Sequence, residues 1–138
     1  MSNRTFTIIK PDSVRKGNFG KMISHIEGEG FRVLGVKKVS LSQRQAEAFY
    51  GVHRERPFFG SLVEYMTSGP VYVVALEREN AVAHLRQIMG ATDPAKAEAG
   101  TLRKLFGESI EQNAVHGSDS DDNAKIEIAF FFAESELV

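Results

Sequence analysis

The sequence contains no cysteine and no excess of charge of either sign, with 17 basic and 18 acidic residues among 138. Without cysteine the chain has no disulfide framework, no thiolate metal site and no thiol nucleophile. The formal net charge of -1 gives no broad basic surface for a nucleic-acid backbone or an anionic membrane. The sequence also lacks a signal peptide and any run of roughly eighteen apolar residues that could span a bilayer. These absences predict a cytoplasmic protein that binds neither membranes nor specific nucleic acids.

The length is typical of one domain, and no repeat divides the chain, so we predict a single domain over residues 1–138. Strand-like apolar segments lie at 5–9, 31–39, 71–76 and 114–115. Pro11 is predicted to break the chain after the first strand. Helical spacing of apolar residues predicts helices around 19–26, 46–49, 59–66, 82–88 and 121–132. This order predicts an α+β, ferredoxin-like (βαββαβ) fold: an antiparallel four-stranded sheet with a helical hairpin after the second strand and a C-terminal helix.

Local signals predict where several helices begin and end. Ser42 and Gln45 have the spacing of a capping box. Pro57 is predicted in the first turn of the second hairpin helix, where its missing N–H costs nothing. Asn80 is predicted to cap the next helix and Gly90 to end it.

The sequence has no phosphate-binding glycine loop of the usual kind. Residues 17–21, Gly-Asn-Phe-Gly-Lys, have the wrong spacing for a P-loop and no Ser or Thr after the lysine. Cationic side chains would therefore have to do most of any phosphate binding. Lys10 is well placed for this, because it directly follows an apolar strand, where ligands of sheets covered by helices commonly bind.

Residues 113–120, Asn-Ala-Val-His-Gly-Ser-Asp-Ser, form the most informative segment. His116 lies where a strand ends in a turn, Gly117 leaves room for a ligand, and the following helix start offers N–H groups to an anion. From these residues alone, a histidine hydrogen-bonded into a turn is at least as good an interpretation. The other histidines have no pair at metal-ligand spacing, so they carry no functional prediction.

This segment resembles the active-site signature of nucleoside diphosphate kinases, Asn-x-x-His-Gly-Ser-Asp-Ser. Nearly the whole chain is similar to that family in the order and spacing of further motifs: Lys10-Pro11-Asp12, Arg56-Pro57-Phe58-Phe59, Met-x-Ser-Gly-Pro at 66–70, Gly-Ala-Thr-Asp-Pro at 90–94 and Gly-Thr-Leu-Arg at 100–103. Two positions depart from the common pattern. Ala99 stands where many members have proline, and Ser13 replaces a usual glycine or alanine, but neither change removes a reacting group.

The resemblance implies a ping-pong exchange in which a nucleoside triphosphate, such as ATP or GTP, phosphorylates His116 and a second nucleoside diphosphate then takes the phosphoryl group. An imidazole suits this step because its ordinary pKa of about 6.5 leaves a free ring nitrogen at neutral pH. By the same resemblance, Glu127 accepts a hydrogen bond from the other ring nitrogen and Ser118 supports Glu127. Tyr50 is expected beside the transferred phosphate.

Phosphoryl transfer spreads negative charge over oxygens, so positioned cations and donors are its main catalytic device. The resemblance assigns this task to Lys10, Arg86, Thr92 and Arg103. Taken singly, each arginine is better explained by a surface salt bridge, and only its place in the matched motifs favours the functional interpretation. Lys10 and Asn113 are also expected to contact the ribose hydroxyls and the sugar-side phosphate oxygens.

The resemblance further implies that Phe58 stacks on the base, with Leu62 and Ile110 as apolar neighbours. Stacking tolerates every base, because each has a π face. Mg²⁺ is expected to arrive bound to the nucleotide phosphates, with no metal ligands from the protein. A homo-oligomer, either a tetramer or a hexamer, is also expected.

Two other function classes remain open at this stage. A non-catalytic ferredoxin-like regulatory module would bind a nucleotide without turnover. A nucleic-acid-binding protein would use the sheet face, but the balanced charge and the lack of an aromatic RNA-binding motif disfavour it.

Overall fold

The computed structural model describes residues 3–138, whose strands form one antiparallel four-stranded sheet. The strands are β1 (Arg4–Ile9), β2 (Arg32–Val39), β3 (Val71–Glu77) and β4 (Val115–Gly117). Their spatial order is β2-β3-β1-β4, with β3 and β1 in the centre. This is the arrangement that the order of elements in the sequence predicts.

Within residues 3–138, seven α-helices surround the sheet: α1 (Pro11–Arg15), α2 (Phe19–Gly28), α3 (Gln43–Phe49), α4 (Phe59–Met66), α5 (Ala81–Met89), α6 (Leu102–Phe106) and α7 (Asp121–Phe131). Single 3-10 turns occupy Gly51–His53, Pro94–Lys96 and Glu134–Glu136. Helices α3 and α4 form the predicted hairpin between β2 and β3. Within residues 3–138, no helix has the length and apolar character needed to cross a membrane.

Helices α1 and α6 are not predicted by the sequence. Pro11 begins α1 instead of breaking the chain, because the first residue of a helix needs no N–H partner. Helix α6 has five residues, too few for an apolar period to be visible. Its start is marked by the Thr101 hydroxyl, which accepts from the Lys104 N–H at 3.3 Å.

The predicted helix ends are partly confirmed. The capping box is present, with Ser42 Oγ accepting from the Gln45 N–H and Gln45 Oε1 accepting from the Ser42 N–H. Gly90 ends α5 with a positive φ of 85°, as a helix-terminating glycine can. The prediction for Pro57 is wrong, because α4 begins two residues later. Asn80 precedes α5, but its left-handed backbone (φ 55°) leaves its side chain without a capping hydrogen bond.

Side chains alternate across the strands and produce a core on each face of the sheet. In β1, Phe6 and Ile8 belong to the core that includes residues of α4 and α7, whereas Ile9 belongs to the core of α2, α5 and α6. Because Ile8 is the register partner of His116 in β4, the His116 side chain lies on the α7 face. Sheet register therefore decides which helix His116 meets.

Candidate active site around His116

The His116 ring lies in a pocket walled by aromatic side chains. The rings of Phe6, Phe49 and Tyr50 face it edge-on, with centroid separations of 6.2, 5.5 and 6.1 Å. Thr7 Oγ1 donates to the His116 carbonyl at 2.6 Å and holds the short strand β4 against β1. The His116 side chain keeps 20% of its surface exposed, so its position is fixed while part of it stays open to a reactant.

Glu127 of α7 contacts one nitrogen of that ring. The distance from His116 Nε2 to Glu127 Oε1 is 2.9 Å, and Ser118 Oγ donates to the same oxygen at 2.7 Å. An ionised carboxylate can only accept, so the neutral imidazole must carry its proton on Nε2. Its lone pair is then on Nδ1, the nitrogen that Glu127 does not occupy.

A strained turn leads into β4. Ala114 is buried with φ 77°, and the Val115 N–H donates to the Asn113 carbonyl at 2.9 Å, which closes a three-residue γ-turn. A residue in this conformation costs about 1–3 kcal/mol, and such strain clusters at functional sites. The turn leaves the Asn113 side chain directed at two predicted site residues: Lys10 Nζ donates to Asn113 Oδ1 at 2.7 Å, and Asn113 Nδ2 donates to the Thr92 carbonyl at 3.0 Å.

Lys10 is almost fully buried, with 7% of its surface exposed. Besides Asn113, its ammonium group reaches the Glu111 carbonyl at 3.5 Å. Burial is the main cause that lowers the pKa of Lys10 to about 8, and Arg103 lowers it further, while Asp12 and Glu111 oppose the change. The ammonium form is therefore held in the site at neutral pH but is lost at moderately alkaline pH.

Two arginines flank His116 through its neighbouring carbonyls. Arg103 donates from Nη2 to the Val115 carbonyl at 3.0 Å and from Nη1 to the Gly90 carbonyl at 3.1 Å. Arg86 Nη1 reaches the Gly117 carbonyl at 3.4 Å. Burial, and then the neighbouring Arg86, lower the pKa of Arg103 to about 10, so the Arg103 guanidinium is still charged at neutral pH.

Close packing of α5 on β4 brings Arg86 to this position. A Cβ atom at Gly117 would lie 2.4 Å from Met89 Sδ, so with any larger residue there the buried Met89 side chain would have to move. The glycine after the histidine thus leaves room for the side chains of α5 as well as for an open turn.

The residues predicted to hold the base lie on the hairpin and on the loop before β4. Phe58 precedes α4 with 47% of its surface exposed, its ring centroid 5.5 Å from that of His53. Ile110 is 62% exposed, and Leu62 is half-buried against the α7-side core. Their neighbours Ser61 and Glu111 are joined by a 2.6 Å hydrogen bond, so hairpin and loop meet here.

The remaining predicted residues divide between the interior and the surface. Tyr50 is buried, and its hydroxyl has no hydrogen-bond partner within the described part of the chain. Burial, and then the Glu127 carboxylate, raise the pKa of Tyr50, so it stays a neutral hydroxyl. Thr92 is exposed. The structure thus brings His116, Glu127, Ser118 and Tyr50 together. Lys10, Asn113 and Thr92 form an adjoining hydrogen-bonded group, and the two arginines bond the backbone on either side of His116.

Several residues of the site escape prediction from the sequence. Phe6 and Phe49 read as ordinary apolar core positions, and only sheet register and helix packing place them against His116. Asp12 lies in the Lys-Pro-Asp motif and so could be found from the sequence. No sequence pattern points to Tyr65, whose hydroxyl is hydrogen-bonded to Asp12. A cavity of about 550 Å³ beside α7 includes none of the side chains around His116. Residues 3–138 also contain no group of three or more His, Cys, Asp or Glu side chains that could hold a metal ion.

The chain is similar to known proteins over its whole length. It matches the family model described as "Nucleoside diphosphate kinase" over residues 3–137. It is 63% identical over 135 residues to a nucleoside diphosphate kinase of Granulibacter bethesdensis, covering 98% of this chain and 96% of that protein. It is 59% identical over 138 residues to one of Phenylobacterium zucineum, covering 100% and 99%.

Solved structures agree with these sequence similarities. A nucleoside diphosphate kinase of Aquifex aeolicus is 42% identical with a TM-score of 0.97, covering 100% of both chains. A nucleoside diphosphate kinase of Halobacterium salinarum in complex with CDP is 38% identical with a TM-score of 0.95, covering 100% of this chain and 92% of that one. This likeness confirms the predicted α+β fold.

Proposed function

This chain belongs to the nucleoside diphosphate kinase family and transfers phosphate between nucleotides, and we propose that the phosphate passes through Nδ1 of His116. The observation that carries this proposal is the 2.9 Å contact of Nε2 with Glu127, which leaves the lone pair on Nδ1. The same ring is partly exposed, as a nucleophile must be.

The reaction is an exchange of two bonds to one phosphorus atom. The Nδ1 lone pair attacks the terminal phosphorus of a nucleoside triphosphate, and the bond to the bridging oxygen breaks, so the diphosphate leaves with that electron pair. A terminal oxygen of a second diphosphate then attacks the phosphorus, and the P–N bond breaks. The histidine is regenerated, so no net change remains on the protein.

Glu127 and Ser118 are proposed to assist by orientation and charge. The ring gains positive charge as the P–N bond forms, and the Glu127 carboxylate at Nε2 stabilises that charge. The Ser118 hydroxyl holds the carboxylate oxygen that Nε2 contacts. Tyr50 is proposed to donate its unused hydroxyl to the transferred phosphate.

The cations around His116 are proposed to neutralise the phosphate oxygens. Lys10, Arg86 and Arg103 lie near one another, since Arg103 acts electrostatically on Lys10 and Arg86 on Arg103, and both arginines hold carbonyls adjacent to the histidine. Cationic side chains beside the histidine suit a bound polyanion. Asn113, with its side chain shared between Lys10 and Thr92, is proposed to contact the sugar side.

A divalent cation is expected with the nucleotide, and we infer that it is Mg²⁺ held chiefly by the phosphate oxygens. The residues fit this arrangement, because the guanidinium groups of Arg86 and Arg103, which flank His116 through the Gly117 and Val115 carbonyls, complement phosphate oxygens and cannot bind a metal ion. When bound, the metal ion offsets negative charge on the phosphates.

On the base side, Phe58 is proposed to stack on the nucleobase, with Leu62 and Ile110 as apolar neighbours. The exposure of Phe58 and Ile110 supports this, since large apolar side chains left in water commonly mark a binding surface. Because stacking on an aromatic ring tolerates every base, such a site fits broad use of ATP, GTP and other nucleotides. We also propose a cytoplasmic homo-oligomer, testable by cell fractionation and by a solution mass measurement.

The test is transfer of labelled phosphate from a triphosphate to the protein. Wild-type protein should acquire an acid-labile, alkali-stable label and pass it to any diphosphate added afterwards. His116→Ala should acquire none, whereas His25→Ala, which alters a histidine on α2, should behave as wild type. A wild-type chain that binds nucleotide but is never labelled would be the non-catalytic regulatory module instead. Equal labelling of His116→Ala would move the reaction to another residue.

A further inference from the structure

A hydrogen bond crosses between the two walls that are proposed to hold the nucleobase. We propose that Ser61 and Glu111 are positioning residues, whose hydrogen bond keeps these walls at the separation that a stacked base needs. The inference rests on the proposed stacking of the base on Phe58 and deepens it. It assigns neither residue a direct contact with the nucleotide.

The bond joins two segments that are distant in sequence. Ser61 Oγ of α4 donates to Glu111 Oε2 at 2.6 Å, across 50 residues. Ser61 lies on α4 between Phe58 and Leu62, and residues three or four positions apart share one face of a helix. In the loop before β4, Glu111 directly follows Ile110. The bond therefore connects the wall made by Phe58 and Leu62 to the wall made by Ile110.

The same face of α4 has a second, firmer attachment one helical turn further on. The Tyr65 hydroxyl donates to Asp12 Oδ1 and accepts from the Asp12 N–H at 2.8 Å. Both residues of this pair are buried, whereas Ser61 is exposed and Glu111 is half-buried. The buried pair fixes the C-terminal end of α4, and the exposed bond holds the Phe58 end to the loop.

The gap between the walls is open while this bond is formed. Phe58 keeps 47% and Ile110 62% of its surface exposed. The long side chain of Glu111 spans the gap, so the bond sets the distance between the two backbones and leaves these apolar side chains free to contact a ligand. A hydroxyl that donates to a carboxylate also forms a stronger bond than a neutral pair does. We therefore expect the bond to favour binding of a base and not to block its entry.

The loop is the more rigid of the two partners. Within it, the Glu108 N–H donates to the Gln112 carbonyl at 2.8 Å, and the Gln112 N–H donates to Ser109 Oγ at 3.0 Å. The Glu111 carbonyl also lies 3.5 Å from the ammonium group of Lys10. Loss of the bond to the hairpin should therefore let the end of α4 move, while the loop and the cations stay in place.

The expected consequence is a change in binding and not in chemistry. Without the bond, the Phe58 end of α4 would spend part of its time too far from Ile110 to hold a base. The apparent affinity for a ligand falls in proportion to the fraction of molecules that are competent to bind it. His116 and the surrounding cations are unchanged, so kcat should be retained while KM rises.

The test is a double-mutant cycle of Ser61→Ala, Glu111→Ala and the two together. The readouts are the Kd of ADP by calorimetry and the kcat and KM of phosphate transfer. Gln43→Ala is the matched control, because it removes an exposed bond to a carboxylate within the same hairpin, that of Gln43 Nε2 with Glu47 Oε2 at 3.1 Å. Inorganic pyrophosphate is the second probe, since it has phosphates but no base. Urea unfolding checks that each variant is folded.

Each single variant should raise the Kd and KM of ADP by about fivefold, the effect expected for loss of one net hydrogen bond. The double variant should be no weaker than either single variant, because both changes remove the same bond. UDP should lose affinity as ADP does, since a spacer between the walls does not recognise the edge of a base. Pyrophosphate binding and kcat should be unchanged, and Gln43→Ala should behave as wild type.

Single effects that multiply in the double variant, to about 25-fold, would overturn the inference, because two residues that act through one bond cannot weaken binding independently. An unchanged Kd of ADP in the folded variants would overturn it too. So would an equal loss for pyrophosphate, which indicates general damage to the site, or a loss for ADP but not for UDP, which indicates contact with the base itself. If wild type binds ADP but transfers no phosphate, the proposed function is wrong, and the cycle on ADP binding still decides the role of the pair.

Discussion

Lys10→Met separates the cost of burying an ammonium group from its proposed use in nucleotide binding. Methionine has a similar length and an adaptable apolar side chain, so the buried space stays filled. The pKa of Lys10 is about 8 in the folded protein and 10.5 ordinarily, mainly because of burial. Between these pH values the unfolded chain binds more protons than the folded one. The free energy of unfolding of wild type therefore rises with pH across this window.

The magnitude follows from the gap between the two pKa values. One pH unit inside the window corresponds to about 1.4 kcal/mol, so the full gap is a cost of about 3 kcal/mol that is present below pH 8. From about pH 7 to 9.5, Lys10 should add roughly 2 kcal/mol to the free energy of unfolding. In Lys10→Met this cost is absent, but Asn113 Oδ1 loses its donor at 2.7 Å, which lowers the free energy of unfolding by about 1 kcal/mol. We expect the variant to be about 2 kcal/mol more stable at pH 7.

Urea unfolding of wild type and Lys10→Met, repeated at several pH values between about 7 and 9.5, measures this difference. The upper limit stays below the Arg103 pKa of about 10, and both proteins contain Arg103, so its partial titration is common to them. Lys16→Met is the control, because Lys16 is an exposed lysine paired with Glu108, and its removal should leave the pH dependence intact. Equal pH slopes for wild type and Lys10→Met, or a less stable Lys10→Met at pH 7, would refute the reasoning. Phosphate transfer by Lys10→Met should be strongly reduced at every pH.

Three further predictions test the site. Glu127→Gln should slow labelling of His116 by on the order of 10²-fold, as loss of an orienting carboxylate does; an unchanged single-turnover rate would contradict its role. Gly117→Ala should lower the free energy of unfolding by about 1–3 kcal/mol in denaturant titration, because its Cβ meets the buried Met89 side chain; an unchanged midpoint would mean that the Met89 side chain repacks without cost. Tyr50→Phe should stabilise the fold by about 1 kcal/mol by removing an unpartnered hydroxyl, yet slow phosphate transfer; full activity would exclude the proposed donor.

Much of the fold is readable along the chain, because it depends on near neighbours. The capping box of Ser42 and Gln45 and the terminating Gly90 involve residues within one helical turn, and both are found as expected. Central strand β3 is a continuous apolar run that only a strand covered on both faces would need. The two wrong predictions of helix starts also concern local patterns. Pro57 lies outside α4, and the side chain of Asn80 does not cap α5, because the backbone before each helix takes a different course from the usual one.

The resemblance of its motifs names the proposed site residues and some of their contacts, such as that of Glu127 with His116, but it does not give the contacts between Lys10 and the residues that bury it. Lys10 and Asn113 meet across 103 residues of chain, and Asp12 and Tyr65 across 53, so no local pattern relates either pair. The pKa of Lys10 depends on its burial, and the Glu111 and Asn113 contacts of its side chain form only once the distant segment before β4 packs against the end of β1. The sequence alone determines which reactive side chains are present. Their pKa values and their contacts with residues distant in sequence arise only in the folded molecule, because both depend on burial and packing.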